Sequence, residues 1–226
     1  AKYQSAALIV VNGADFDHWV SHASLPGSRV VDTCRSFEDE FIYYETVTHS
    51  HGEGGEHSHQ GIDGHTWLDP LNAKRQAGAI SEALERAFPE HAADFKANAI
   101  ELAGELDALD DRFRSITPRL QSVTLLASHA AYDYVARRYE WGLTNLDLDP
   151  EAELDDDAIP AGEGKRLMLW ESPPLDATIA RLRDEHGIDS VVFSPAENIP
   201  ADERAAGADL ISIMNDNLDR LEAAIE

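Results

Sequence analysis

Residues 48–70 read T-H-S-H-G-E-G-G-E-H-S-H-Q-G-I-D-G-H-T-W-L-D-P. The end of this stretch, Gly64-His65-Thr66-Trp67-Leu68-Asp69-Pro70, decides the fold. Trp67 and Leu68 are apolar and suited to burial. Asp69 is a helix-capping residue, and Pro70 suits the first helical position. A folded unit therefore closes at about Leu68 and a helical segment opens at Pro70. The beginning of the stretch points to chemistry. It holds His49, His51, His57, His59 and His65, five of the chain's ten histidines. Four form two H-x-H pairs, separated by Gly52 to Glu56. Neutral imidazole is a common metal ligand, so a tract this rich in histidine reads as metal-binding. His49 to His59 have no apolar residue among them and read as a mobile loop. The bland alternative is a solvated loop or a tag, but tags are uninterrupted and terminal. His65, flanked by residues that can pack, is the candidate for a pre-organised site.

Working outward, Leu71, Ala77, Ile80, Leu84 and Phe88 recur at helical spacing, and Pro89 interrupts them. Phe95, Ala99, Leu102, Leu106, Leu109, Phe113 and Ile116 continue the pattern to Pro118, which is expected to end the helix. Before the tract, Leu8 to Val11 and Arg29 to Asp32 read as short strands, separated by Asn12-Gly13 and an amphipathic segment with Phe16, Trp19 and Val20. Phe41 to Tyr44 is open between a strand and the approach to the histidine tract. After the helices, Val123 to Ala127, Arg166 to Glu171 and Ser190 to Ser194 read as buried strands. Helices are expected over Ser128 to Tyr139, Leu175 to His186 (stopped by Gly187) and Asp209 to Ile225. The alternation of strand and helix implies parallel sheets. The expected fold is α/β: two lobes with parallel-type sheets joined by a long connecting helix. The boundaries are 1–69 for the first lobe, including a His-rich loop at 48–64, then 70–118 for the helical connection and 119–226 for the second lobe. His129 falls at the carboxyl end of a strand, where ligand sites gather in open α/β sheets. A solitary histidine there is otherwise more often structural.

Bulk composition narrows the function classes. Lysine and arginine total 18 against 43 aspartates and glutamates, a formal net charge of −25. That balance argues against nucleic acid or an anionic membrane surface as partner, and suits a cationic ligand or a salt-adapted surface. The run Asp155-Asp156-Asp157 lacks the alternating spacing of a calcium loop and reads as solvated. Cys34 is the one cysteine. It excludes an internal disulfide and cysteine-rich zinc sites, leaving imidazoles and carboxylates as ligands. No apolar run approaches 18 residues, and no signal segment is recognised.

Several segments, taken together, look familiar: Ala7 to Trp19 (A-L-I-V-V-N-G-A-D-F-D-H-W), the His-rich insertion followed by Gly64 to Pro70, the long helix, Ser128 to Tyr139 (S-H-A-A-Y-D-Y-V-A-R-R-Y), Trp170 to Pro174 (W-E-S-P-P), Val191 to Glu197 (V-V-F-S-P-A-E) and Ile211 to Leu221. The chain resembles the extracytoplasmic solute-binding proteins of zinc and manganese ABC transporters. The resemblance implies a metal site between the lobes, with His65 as ligand from the first and His129 from the second. A histidine at the second position is the zinc-type choice, and imidazole does suit zinc better than manganese. The family's first histidine would lie before Ala1, with the strand that precedes it, so the chain is expected to lack both. The family's acidic ligand falls at about Ser194, with Glu197 three residues on as its replacement. His49, His51, His57 and His59 are implied as accessory metal ligands.

The function expected is binding of a divalent metal ion, zinc in preference to manganese, and its delivery to an ABC permease. The protein is expected to act as a monomer without catalysis, outside the cytoplasm, either in a periplasm or membrane-tethered. One alternative is a zinc hydrolase, since His57-Ser58-His59, Asp63 and His65 approach an H-x-H-x-D-H pattern; the spacing is off by two residues and no general base is evident. Another is a metal-buffering protein without a transporter. Zinc affinity is expected to fall below about pH 6, where imidazole protonates.

Overall fold

The computed structural model describes residues 2–44, 47–50, 56–59 and 61–226, and for 47–50 and 56–59 only the backbone path. The chain divides into two compact units, the first containing Ala1–Thr48 and Ser58–Asp110, the second His49–His57 and Asp111–Glu226.

In the first unit a short helix α1 (Lys2–Ser5) leads into β1 (Ile9–Val11), which pairs in parallel with β2 (Val30–Asp32), Ile9 opposite Val30. The amphipathic segment between them is a 3-10 helix, His18–His22. Tyr43 forms an isolated antiparallel bridge with Ile62. In the histidine tract, β3 (Val47–Ser50) and β4 (Glu56–His59) form a two-stranded sheet, where the composition had suggested an unstructured loop. A backbone ladder needs no apolar side chain, so its absence was no bar to pairing. His49, His57 and His59 lie on these strands; His51 falls outside the described residues.

Asp69 caps α2 (Pro70–Ala87) as expected, accepting from the Leu71 and Asn72 N–H groups. Its buried face is not the one that apolar spacing suggested. Leu71, Ala77, Ile80 and Leu84 are half-buried, whereas Asn72, Ala73 and Gln76 are fully buried. A 3-10 turn at Pro89–His91 leads to α3 (Ala92–Leu120), 29 residues long or about 44 Å. Leu106, Leu109, Phe113 and Ile116 are buried as expected, while Leu102 is exposed. Pro118 does not end α3; the helix runs on to Leu120. The boundary between units falls within α3, after Asp110.

The second unit carries a four-stranded parallel sheet, ordered β6-β5-β7-β8, from β5 (Val123–Ala127), β6 (Leu143–Asn145), β7 (Lys165–Trp170) and β8 (Ile188–Val192). Ala127 pairs with Leu169, and Leu169 with Val191. The helices are α4 (Asp133–Tyr139), α5 (Asp176–His186), α6 (Ala201–Ala205) and α7 (Leu210–Ile225). Helix α4 starts five residues later than expected, so His129 lies in a turn rather than at a helix start. Gly187 stops α5 at φ +64°, a conformation that favours glycine. Asp209 and Ser212 form a reciprocal capping box on α7. The core holds Leu126, Met168, Trp170, Leu182 and Ile188, and each such large side chain contributes about 1.5–3 kcal/mol on burial. Beside it Phe113 stacks on Tyr139 at 4.9 Å, with Trp141 and Phe193 packed around them. Among the described residues, no helix is long and apolar enough to cross a membrane.

Candidate metal centre

His65 precedes a 3-10 turn, Thr66–Leu68, which joins the first sheet's surroundings to α2. Three features hold it. The first is backbone pairing on its N-terminal side, where the Asp63 N–H donates to Ile42 O at 2.8 Å and the Tyr44 N–H to Gly61 O at 3.0 Å. The second is close packing: Phe16 lies edge-on to Trp67 at 4.8 Å and to His65 at 6.0 Å. A side chain at Gly64 would begin 2.9 Å from Phe16 Cδ2, so that close approach needs glycine. The third is a buried polar network. Gln76 Nε2 donates to Asn12 Oδ1 and Thr33 Oγ1, both at 2.9 Å, with Cys34 Sγ at 3.4 Å. Asn12 Nδ2 in turn donates to Gly64 O at 3.1 Å, and Thr66 Oγ1 lies 3.2 Å from Cys34 Sγ. The turn after β1, the end of β2, the His65 segment and α2 are thereby tied together. Burial pushes the Cys34 thiol up to about 11, so it is protonated at neutral pH and a poor metal ligand.

The His65 side chain is 12% exposed, and its Nδ1 lies 2.7 Å from Oδ1 of the fully buried Asp63. The same oxygen accepts the His65 backbone N–H at 2.9 Å.

In the second unit, the expected residues gather at the carboxyl edge of the parallel sheet. The ladder runs past the strand ends: Ser128 N–H donates to Leu169 O at 2.9 Å and Phe193 N–H to Trp170 O at 2.7 Å. His129, half-buried, is two residues beyond Ala127, and Glu171, also half-buried, is two beyond the paired Leu169. Tyr132 is buried behind this edge and donates to Phe193 O at 2.7 Å. Burial, then the charges of Glu171 and Glu197, hold its hydroxyl well above the usual tyrosine range. The segment after β8 is clamped by α7: Asn217 accepts from Ser194 N–H at 2.9 Å and returns a bond to Ser194 O at 2.7 Å. Ser194 Oγ accepts from the Ala196 N–H, and Ala196 has φ +59°, an uncommon value for a residue with a Cβ. Glu197, next in the chain, is exposed.

Each unit thus presents one of the expected histidines with a carboxylate near it in the chain or across the sheet. Among the described residues, no group of three or more His, Cys, Asp or Glu side chains converges as a metal cluster. Gln76 and Glu171 were not singled out from sequence as site residues, and Asp63 was named only within the hydrolase pattern. Glu171 had a legible signal, since it ends a strand predicted to lie in the same sheet as that of His129. Gln76 had none, because a polar residue on a helix ordinarily reads as solvent-facing.

Comparison with known proteins adds the remaining evidence. The chain is 28% identical over 243 residues to the zinc-binding protein AdcA of Streptococcus pyogenes serotype M3, covering 97% of this chain and 46% of that one. It thus spans about half the length of the curated relatives it matches. A 78-residue stretch is 40% identical to a putative metal-binding protein of Chlamydia trachomatis, covering 34% of this chain and 28% of that one. The fold matches the metal-dependent lipoprotein YcdH of Bacillus subtilis with a TM-score of 0.80 at 20% identity, covering 99% of this chain and 82% of that one. It matches Zn(II)-bound AdcA of Streptococcus pneumoniae with a TM-score of 0.76 at 22% identity, covering 99% and 48% respectively. Residues 1–224 match the family described as zinc-uptake complex component A, periplasmic, and the chain belongs to that family of zinc ABC-transporter solute-binding proteins.

Proposed function

We propose that the protein captures zinc with His65 and His129 and delivers it to an ABC permease outside the cytoplasm. Glu197 is the acidic ligand in this reading, with water or Glu171 completing the four contacts that zinc takes. The carrying observation is the placement of His65: a nearly buried imidazole, braced on three sides, with one ring nitrogen engaged by Asp63. A histidine that only filled space would not need so much polar scaffolding. Zinc rather than manganese follows from the imidazole pair and from the zinc-binding relatives. Metal is cargo here and no bond is made or broken in it. The histidine tract serves as an accessory site that gathers metal.

Zinc titration of the metal-free chain tests this. One tight site and weaker additional sites are expected. Replacing His65 and His129 by Ala should abolish the tight site and leave the weaker ones. If deletion of residues 49–59 removes all zinc binding, the assignment to His65 and His129 is wrong.

A further inference from the structure

Asp63 is the most confined charged group near His65. Its side chain is fully buried, and Oδ2 has no hydrogen-bond partner among the described residues. Oδ1 makes two contacts, with the His65 N–H and with Nδ1 of the His65 ring. A local turn explains the first contact, because Asp commonly accepts from the N–H two residues on. It does not explain the second. An ionised carboxylate can only accept, so the ring nitrogen facing it carries the hydrogen. The other nitrogen, Nε2, then carries the lone pair. The backbone leaves Asp63 little freedom to turn away, since its own N–H is bonded to Ile42 O and Gly64 O is held by Asn12.

From this geometry we infer that Asp63 is a positioning residue for metal capture: it holds His65 as the Nδ1–H tautomer, aims the Nε2 lone pair at the divalent cation, and places its carboxylate behind the ring. The inference rests on His65 being a zinc ligand. Carboxylates that orient ligand imidazoles raise the basicity of the metal-bound nitrogen, and their loss typically weakens metal binding 10–100-fold.

Two measurements test it. Nitrogen-15 NMR of the metal-free protein at about pH 8, where imidazole is neutral, should show His65 protonated at Nδ1 and bare at Nε2. Zinc competition titrations should show Asp63→Ala weakened by about 10–100-fold. Asp63→Asn keeps an acceptor oxygen for both contacts, so it should preserve the tautomer and the fold yet bind zinc more weakly than the parent. If Asp63→Ala does not fold, Asp63→Asn and the parent tautomer decide the matter. The proposal is overturned if His65 carries its hydrogen on Nε2, or if folded Asp63 variants bind zinc as tightly as the parent. It is also overturned if zinc-edge absorption spectroscopy shows an Asp63 oxygen in the coordination sphere. Should His65→Ala leave zinc binding unchanged, the ligand assignment fails instead, and the tautomer still reports on Asp63 alone.

Discussion

Replacing Gln76 by Met isolates the buried amide network that braces His65. Methionine has nearly the same length and volume, so packing is kept while both amide donors are lost. The amide has two hydrogens for three acceptors, Asn12 Oδ1, Thr33 Oγ1 and Cys34 Sγ. The two 2.9 Å bonds are the ones to count. Each buried hydrogen bond contributes about 0.5–1.5 kcal/mol net, and an acceptor left buried without a partner costs about 1–3 kcal/mol. Asn12 Oδ1 is part-buried and can regain some solvent, so the expected loss is about 2–4 kcal/mol. Urea unfolding of the metal-free protein, followed by tryptophan fluorescence, measures it at constant ionic strength. The transition of the first unit, which holds Trp19 and Trp67, should move to lower urea. The variant should also bind zinc more weakly, because Asn12 loses a partner that holds its grip on Gly64 O. A loss below about 0.5 kcal/mol, within the range of a neutral surface change, would refute the claim that this network supports the His65 segment.

Three further outcomes are expected. Asn217→Ala removes both bonds that clamp Ser194; it should cost about 2–4 kcal/mol in urea unfolding and weaken zinc binding if Glu197 is a ligand. With a net charge of −25, self-repulsion should be relieved by salt, so the melting temperature should rise between about 0.1 and 1 M KCl as the Debye length falls from about 10 to 3 Å; a flat profile would contradict this. Cys34 has a thiol pKa raised by burial from 9.0 to about 11, so the folded state holds its proton more tightly than the unfolded chain does. The contribution is present below pH 9 and is lost as pH rises from 9 to about 11. Cys34→Ala should show a shallower decline in melting temperature across that window, and native Cys34 should react slowly with thiol reagents at neutral pH.

The parts legible in sequence were those with long-range regularity or strong end signals. Asp69-Pro70 marked the start of α2, Gly187 the stop of α5, and the apolar spacing of Leu106, Leu109, Phe113 and Ile116 the buried face of α3. Short elements escaped. The strand β6, three residues long, and the helices α1 and α6 carry too few residues for a period to show. The face of α2 was misread because periodicity counts apolar residues, whereas Asn72 and Gln76 are buried with their polar groups directed inward or at neighbours. Asp63 was visible only as part of a near-miss hydrolase pattern, because its significance lies in one 2.7 Å contact with a neighbouring ring. His65 and His129 were visible because each follows or precedes a strong boundary, and histidine at such a place has a limited set of uses.

The proposed function turns on one zinc ion held by both His65 and His129. Anomalous scattering at the zinc edge from zinc-loaded crystals addresses it most directly. The account predicts one dominant peak at about 2.0–2.1 Å from an imidazole nitrogen of both His65 and His129, with a Glu197 oxygen in the same sphere. A dominant peak bound only by His49, His51, His57 or His59, with none at His65 and His129, would contradict it.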